Sequence, residues 1–296
     1  MKKNFLVKLE AYMFKYFVYF FQALFVYFFF ILGKILGLRL SQKVYSYLFC
    51  LFGPYFKSHK VINANLKKFS PNILLSEKNK IIKNMWSNYG MTFIEYIFLN
   101  LYRKKNIFVE LKNDYILKNL NNSKPVIFVS GHFANFEIMS MEITKKKIKL
   151  ATIYRPLNNI FINPLMEYLR RKFVCKNQIK KGIAGVKEAM QYINNGYSIA
   201  MMIDQRVSEG EKISLFGSHA LTTTLPAQLA LKYNLLIVPV FIKRKLNNDF
   251  FMEFYEPIKS SKFKNKYDLS RKINKLFEKM LLENTGQWIW THNRWK

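Results

Sequence analysis

The sequence predicts an α/β protein: a mixed, largely parallel central sheet flanked by helices, with an N-terminal membrane-anchoring helix ahead of it. Three observations carry this. After Pro125, short β-branched apolar runs alternate with segments of helical period. A long apolar stretch lies close to the N-terminus. Half of the 296 residues are hydrophobic, enough for one large domain or two small ones with a real core. We expect residues 1–40 to form the membrane helix with its basic flanks, and residues 41–296 to form an α/β domain with a helical N-terminal part.

From Tyr16 to Gly33 runs YFVYFFQALFVYFFFILG, with Gln22 its only strongly polar side chain. About 18 helical residues span about 27 Å, close to the thickness of a bilayer core. Lys2, Lys3, Lys8 and Lys15 precede it, and Lys34, Arg39 and Lys43 follow, so basic flanks do not fix an orientation. The basic start also suits a signal peptide, but the run is long, aromatic and lacks an A-x-A-like end. Whether the helix spans or lies in the interface is open at this point. Residues 40–60 are mixed apolar and basic, and Gly53-Pro54 predicts a break. Residues 61–103 read as helices; Ile81, Met85, Trp86, Tyr89, Phe93 and Ile97 recur at near-helical spacing. Asn119, Asn121, Asn122 and Ser123 mark a loop.

PVIFVS then reads as a buried strand, and GHFANFE as a turn leading into a helix. KLATIY is a second strand. PLMEYLRRK and GVKEAMQYINN are helices, the latter closed by Gly196. YSIAMMI is a third strand ending at Asp204. TTTLPAQLALKY starts a helix, with Thr222, Thr223 and Thr224 as candidate caps and Pro226 in the first turns. LLIVPVFIKR is a fourth strand in which Pro239 suggests a bulge or a sheet edge. DFFMEFYEP is a fifth, and a basic helix covers about Asp268 to Glu283.

Lys and Arg number 48 against 18 Asp and Glu, a formal charge of +30. Such a chain is drawn to anionic surfaces. Abundant Lys, Asn, Ile, Phe and Tyr also fit compositional drift in an AT-rich genome, so charge alone selects no partner. Cys50 and Cys175 make no disulfide framework and no zinc spacing, which suits a reducing compartment. No RRM, helix-turn-helix or zinc signature points to nucleic acid.

The chemistry concentrates in Gly131-His132-Phe133-Ala134-Asn135-Phe136-Glu137, at the carboxyl end of a predicted strand, where ligands tend to sit in open α/β sheets. Five residues on a regular helix rotate by about 140°, so His132 and Glu137 converge only if His132 lies in the turn and Glu137 in the helix. Gly131 supplies backbone freedom for that turn. A neutral imidazole, with a pKa near about 6.5, suits removal of a hydroxyl proton as the oxygen attacks a thioester. A carboxylate orients the ring and stabilises the imidazolium, the task expected of Glu137. From spacing alone, a core histidine beside a solvated glutamate is the stronger contender.

GHFANFE, YRPLNN, DQR followed by FGSHALTTT, and the ending GQWIWTHNRWK together resemble the lipid A biosynthesis acyltransferases, the bacterial lauroyl and myristoyl transferases related to the wider H-x4-D/E glycerolipid acyltransferases. The likeness runs from the membrane helix to the last residue, in order and at similar spacing. It implies His132 as general base with Glu137 as its partner, an acyl-carrier-protein thioester as donor, and a hydroxyl of an anionic, Kdo-containing lipid A precursor as acceptor. It implies no metal and no diffusible cofactor, and a place on the cytoplasmic side of the bacterial inner membrane.

Substrate contacts are expected from Arg155, at a strand end where a guanidinium can hold a phosphate or the thioester oxygen. Arg170 or Arg171 falls where similar proteins carry an important Arg, and only one of two adjacent helical residues is expected to point inward. Asp204 is a candidate to pair with such an Arg, or a turn aspartate. Arg206 stands where many relatives have an acidic residue, and Leu225-Pro226 where they often have a glycine. His219 is read as a loop residue. Trp288, Trp290 and Trp295 suit an interfacial belt or core packing equally, and His292 and Arg294 carry no derivable role. The runners-up are a glycerolipid or lysophospholipid acyltransferase, a basic membrane-surface protein, and a hydrolase. The last lacks a G-x-S-x-G elbow, and Ser130 is its only obvious nucleophile.

Overall fold

The computed structural model of the protein describes residues 2–57, 59–105, 108–120 and 124–296. Asn121, Asn122 and Ser123 of the expected loop lie outside the described residues.

Helix α1 (Lys2–Phe56) contains the apolar segment and divides at Gly37, whose φ of 73° and ψ of 168° interrupt the helical path. The expected break at Gly53-Pro54 does not occur there. Pro54 falls in the last turn of α1, so the helix continues only to Phe56 beyond it, and Gly53 lies flat against Trp86, with no room for a side chain. Much of α1 leaves its apolar side chains uncovered: Phe17 is 61% exposed and Ile35 76%. Its inner face packs on α3 (Leu75–Glu95), reached through α2 (His59–Phe69). Gly90 of α3 makes the approach possible, because an added Cβ would stand 2.0 Å from the carbonyl of Tyr45. A 3-10 turn (Tyr96–Phe98) and α4 (Leu99–Lys104) complete the helical layer.

The sheet follows. Its strands are β1 (Val109–Lys112), β2 (Ile127–Ser130), β3 (Leu150–Tyr154), β4 (Asn177–Lys180), β5 (Ser198–Met202), β8 (Leu236–Arg244) and β9 (Phe250–Phe254), in the order β1-β9-β8-β2-β5-β3-β4. The two-residue β10 (Ile258–Lys259) joins the start of β8. Every pairing is parallel except those of β8 with β9 and β10, so the sheet is mixed and largely parallel, as the sequence predicts. Helices α5 (Tyr115–Leu120), α6 (Glu137–Lys145), α7 (Asn163–Leu169), α8 (Ile183–Asn194), α9 (Leu225–Tyr233) and α10 (Lys266–Glu283) connect and cover the strands. The central β2 is buried along its whole length, which is why it reads as a continuous apolar run.

Three local expectations change. Pro239 lies at neither an edge nor a bulge; it falls between the stretch of β8 that pairs with β10 and the stretch that pairs with β9, so its missing N–H leaves no ladder gap. The FGSHALTTT loop is half of a hairpin, β6 (Glu211–Leu215) with β7 (Ser218–Thr222), and His219 is an exposed strand residue. The three threonines divide: Thr223 Oγ1 accepts from the Leu225 N–H at the start of α9 at 3.3 Å, Thr224 makes no side-chain cap bond, and Thr222 ends β7 and accepts from the Arg294 guanidinium at 2.7 Å. Neither β1 nor β4 was expected; β1 is short, and β4 (NQIK) is polar.

Candidate active site

Strand order decides what meets His132. β2 pairs with β5 so that Ser130 stands opposite Met202, and both strands end together. Two residues further on each chain, His132 faces Asp204. The Nδ1 of His132 lies 2.7 Å from Asp204 Oδ1, while the backbone N–H of His132 and the indole N–H of Trp288 donate to Asp204 Oδ2 at 2.8 and 2.7 Å. Asp204 is 1% exposed. Burial alone would push its carboxyl up, yet His132 and these donors outweigh it and hold the group below its ordinary value. An ionised Asp204 fixes neutral His132 as the Nδ1–H tautomer and leaves the lone pair on Nε2. That atom lies 3.5 Å from the Gln205 side-chain amide.

Glu137 is not the carboxylate on this imidazole. It opens α6 as expected, with His132 in the turn, but its Oε1 accepts from Arg170 Nε at 2.7 Å and from the Tyr96 hydroxyl at 2.7 Å. Arg170 Nη2 closes the triangle on Tyr96 at 3.1 Å. The physical reason is reach: the loop's backbone turns His132 toward β5, while the first turn of α6 aims Glu137 at the helical layer. Of the two adjacent arginines, Arg170 is the buried one and Arg171 is exposed. The pairing of Asp204 with an Arg is likewise replaced by its contacts with His132 and Trp288. Arg170 keeps one buried nitrogen, Nη1, without a hydrogen-bond partner. Burial would lower its pKa, but Glu137 and Tyr96 more than compensate and hold it firmly protonated. Burial, with Glu137 beside it, pushes the Tyr96 phenol well up, so it stays a donor.

The loop between the two groups is over-determined. Gly131 is needed for space more than for turning: a Cβ there would stand 2.5 Å from Phe277 and 2.8 Å from Phe133. Ala134 adopts a left-handed φ of 46°. Its N–H donates to the Gln287 carbonyl at 3.0 Å, and its own carbonyl accepts from Thr92 Oγ1 at 3.0 Å and Asn88 Nδ2 at 3.3 Å. Asn135 donates to Glu95 at 2.9 Å, and Glu95 is clamped by the guanidinium of Arg244, with Nη2 3.0 Å from Oε2.

His132, Glu137, Arg155 and Arg170 line one cavity of about 630 Å³. Its inner wall includes the buried Met139, Ala200 and Met201; its lining also includes the exposed Lys57, Arg155 and Lys181. Arg155 and Lys181 follow the paired ends of β3 and β4, where Tyr154 stands opposite Lys180. Burial and the neighbouring Arg155 charge lower the Lys181 amine. Arg171 is absent from this lining. Among the described residues, no three of His, Cys, Asp and Glu gather as metal ligands.

Sequence reasoning missed Trp288, Tyr96 and Gln205 as site residues. Trp288 and Trp290 are fully buried, which decides between packing and an interfacial belt; Trp288 does so with its indole on Asp204. The clustered aromatic ending was the signal, but no local pattern says which buried acceptor an indole will find.

Residues 8–296 match the family described as bacterial lipid A biosynthesis acyltransferase. No curated protein matches the chain. A solved structure, the 1-acyl-sn-glycerophosphate (LPA) acyltransferase PlsC from Thermotoga maritima, is 14% identical, with a TM-score of 0.42 over 87% of this chain and 99% of that one.

Proposed function

The chain belongs to the bacterial lipid A biosynthesis acyltransferase family, and from that premise we propose that it moves a fatty acyl chain from an acyl-carrier-protein thioester to a hydroxyl of a Kdo-containing lipid A precursor. The observation that carries this reading is His132, held by Asp204 with its Nε2 unprotonated and met only by the Gln205 amide at 3.5 Å, on a cavity whose lining joins buried methionines to exposed cations.

The His132 Nε2 takes the proton of the acceptor hydroxyl as its oxygen adds to the thioester carbonyl. The C–S bond then breaks, and the departing thiolate takes the proton back from the imidazolium. Asp204 orients the ring and balances its transient charge, the part a buried aspartate plays in a Ser-His-Asp triad. Glu137 is a positioning residue: with Tyr96 it holds Arg170, whose unpartnered Nη1 is a donor for the substrate. Arg155, with Lys57 and Lys181, supplies positive charge for phosphates of the donor or the acceptor.

The same features support a location at the membrane. Acceptor lipid stays in the bilayer, and α1 presents uncovered aromatic side chains there. The segment after β3 leans on that helix: Asn159 donates to the Tyr19 carbonyl at 2.8 Å, and Tyr27 to the Phe161 carbonyl at 2.6 Å. In this reading the site opens beside the membrane, on the cytoplasmic face where the acidic carrier protein resides. A charge of +30 speeds encounter with both anionic substrates.

The test is transfer of labelled acyl chains from acyl carrier protein to purified Kdo-bearing lipid A precursor, with mass spectrometry of the product. Transfer by the wild-type protein and none by His132→Ala supports the reading. Transfer only to lysophosphatidic acid would move the acceptor to the glycerolipids, and full activity of His132→Ala would end the base assignment.

A further inference from the structure

The segment Asp204-Gln205-Arg206 grips two histidines. Asp204 holds His132 Nδ1, the Gln205 amide lies at His132 Nε2, and the backbone N–H of Arg206 donates to His292 Nε2 at 3.0 Å. His292 lines the same cavity as His132 and Gln205.

That last hydrogen bond fixes a tautomer. A backbone N–H can only donate, so His292 Nε2 accepts, and the neutral ring carries its proton on Nδ1. No described residue hydrogen-bonds that Nδ1–H. The ring is also rigidly mounted. Asn65 donates to the carbonyls of His292 and Trp290 at 2.7 and 2.8 Å, and the His292 N–H returns to the Ile289 carbonyl at 3.3 Å. The charges around it disfavour protonation. Burial lowers its pKa first, and His132, Arg294 and Arg155 add to this against the single opposing charge of Asp204. The side chain of Arg206 turns away, to the Lys296 carbonyl.

We propose that His292 is a second substrate-contacting histidine, presenting its Nδ1–H to the oxyanion that forms when the hydroxyl adds to the thioester carbonyl. The proposal rests on the acyltransfer reading. In the addition, the new C–O bond forms and the carbonyl electron pair moves to oxygen while His132 takes the hydroxyl proton. In the collapse, the C=O re-forms, the C–S bond breaks and the thiolate takes that proton. His292 keeps its own proton throughout, so its contribution is a preorganised dipole aimed at developing charge. A neutral imidazole on a fixed mount suits this, because it donates without needing to reorient.

Two variants separate a donor from a prop. His292→Phe and His292→Asn both lose the contact with Arg206, but Asn can present an amide N–H where Nδ1 stood. His292→Phe should lower kcat by about 100-fold with KM little changed, as expected for removal of one oxyanion donor. His292→Asn should recover about 10-fold of that loss. In the wild-type protein, ¹⁵N NMR of labelled histidine should show a ring protonated at Nδ1 and bare at Nε2 at pH 7. Equal losses in the two variants, unchanged activity in His292→Phe, or an Nε2–H or charged ring would each overturn the proposal. An inactive wild-type protein would instead overturn the acyltransfer reading, and this proposal with it.

Discussion

Asp204 is a buried carboxylate whose two oxygens serve three donors, and those donors are the reason it can stay charged in an apolar setting. Asp204→Asn should cut kcat by about 10³–10⁴-fold, because an amide cannot hold the Nδ1–H tautomer, as with the corresponding change in a Ser-His-Asp triad. Glu137→Gln should act differently. It leaves the Arg170 guanidinium underpaired in the interior and should cost about 3 kcal/mol of stability, with a smaller loss of kcat. A kinetic comparison decides: if Glu137→Gln abolishes turnover and Asp204→Asn spares it, the partner of His132 has been misassigned. The pH dependence of stability has two parts. The Asp204 carboxyl lies below its unfolded value, so its contribution is complete above about pH 3.9 and is lost as pH falls through the folded value. The His292 ring also titrates low. Below about pH 6.5 the unfolded chain therefore binds a proton that the folded chain refuses, and stability declines on acidification. Denaturant midpoints in detergent should show the shallow decline starting near neutrality in the wild type and its absence in His292→Asn.

At the scale of elements, two contacts set the His132 loop. α3 approaches α1 through Gly90, and Gly90→Ala would drive a methyl group into the backbone of Tyr45. The helices must separate, at a cost of about 1–3 kcal/mol, which thermal unfolding in detergent would register. The second contact is the ion pair of Glu95 in α3 with Arg244 in β8, both almost wholly buried. It reaches the loop through Asn135 and reaches α1 through Gln42, which donates to Glu95 at 2.7 Å. Arg244→Met should destabilise by about 3–5 kcal/mol because it strands Glu95, and the double change with Glu95→Met should be milder. If the single and double variants unfold alike, the pair is not acting as a unit.

The whole molecule joins a helical layer with an uncovered aromatic side to an α/β body, and both parts are basic. The exposed aromatic side of α1 and the +30 charge act on different terms of membrane affinity, one insensitive to salt and the other screened by it. The full chain should remain with membranes in 1 M salt, whereas a chain lacking residues 2–36 should be released by it. Fractionation followed by immunoblotting reads this directly. The shortened chain should also lose transfer activity toward detergent-dispersed substrate, because the 159–161 segment loses its support on Tyr19 and Tyr27.

Much was settled along the chain itself. The apolar run of α1, the five strands that read as apolar runs and the helices between them were legible because period and burial are local consequences of side-chain order. The glycine-histidine turn at the end of β2 was legible for the same reason, and the order of motifs identified the family. Pairing was not legible. Which carboxylate meets His132 depends on β5 lying beside β2 in a register that carries Asp204 to the imidazole, while α6 carries Glu137 to Arg170. Strand order is a contest among non-local contacts, and no spacing within a motif encodes it. The same holds for Trp288 on Asp204 and for the Arg206 amide on His292, contacts between segments some 80 residues apart that exist only once the sheet has closed.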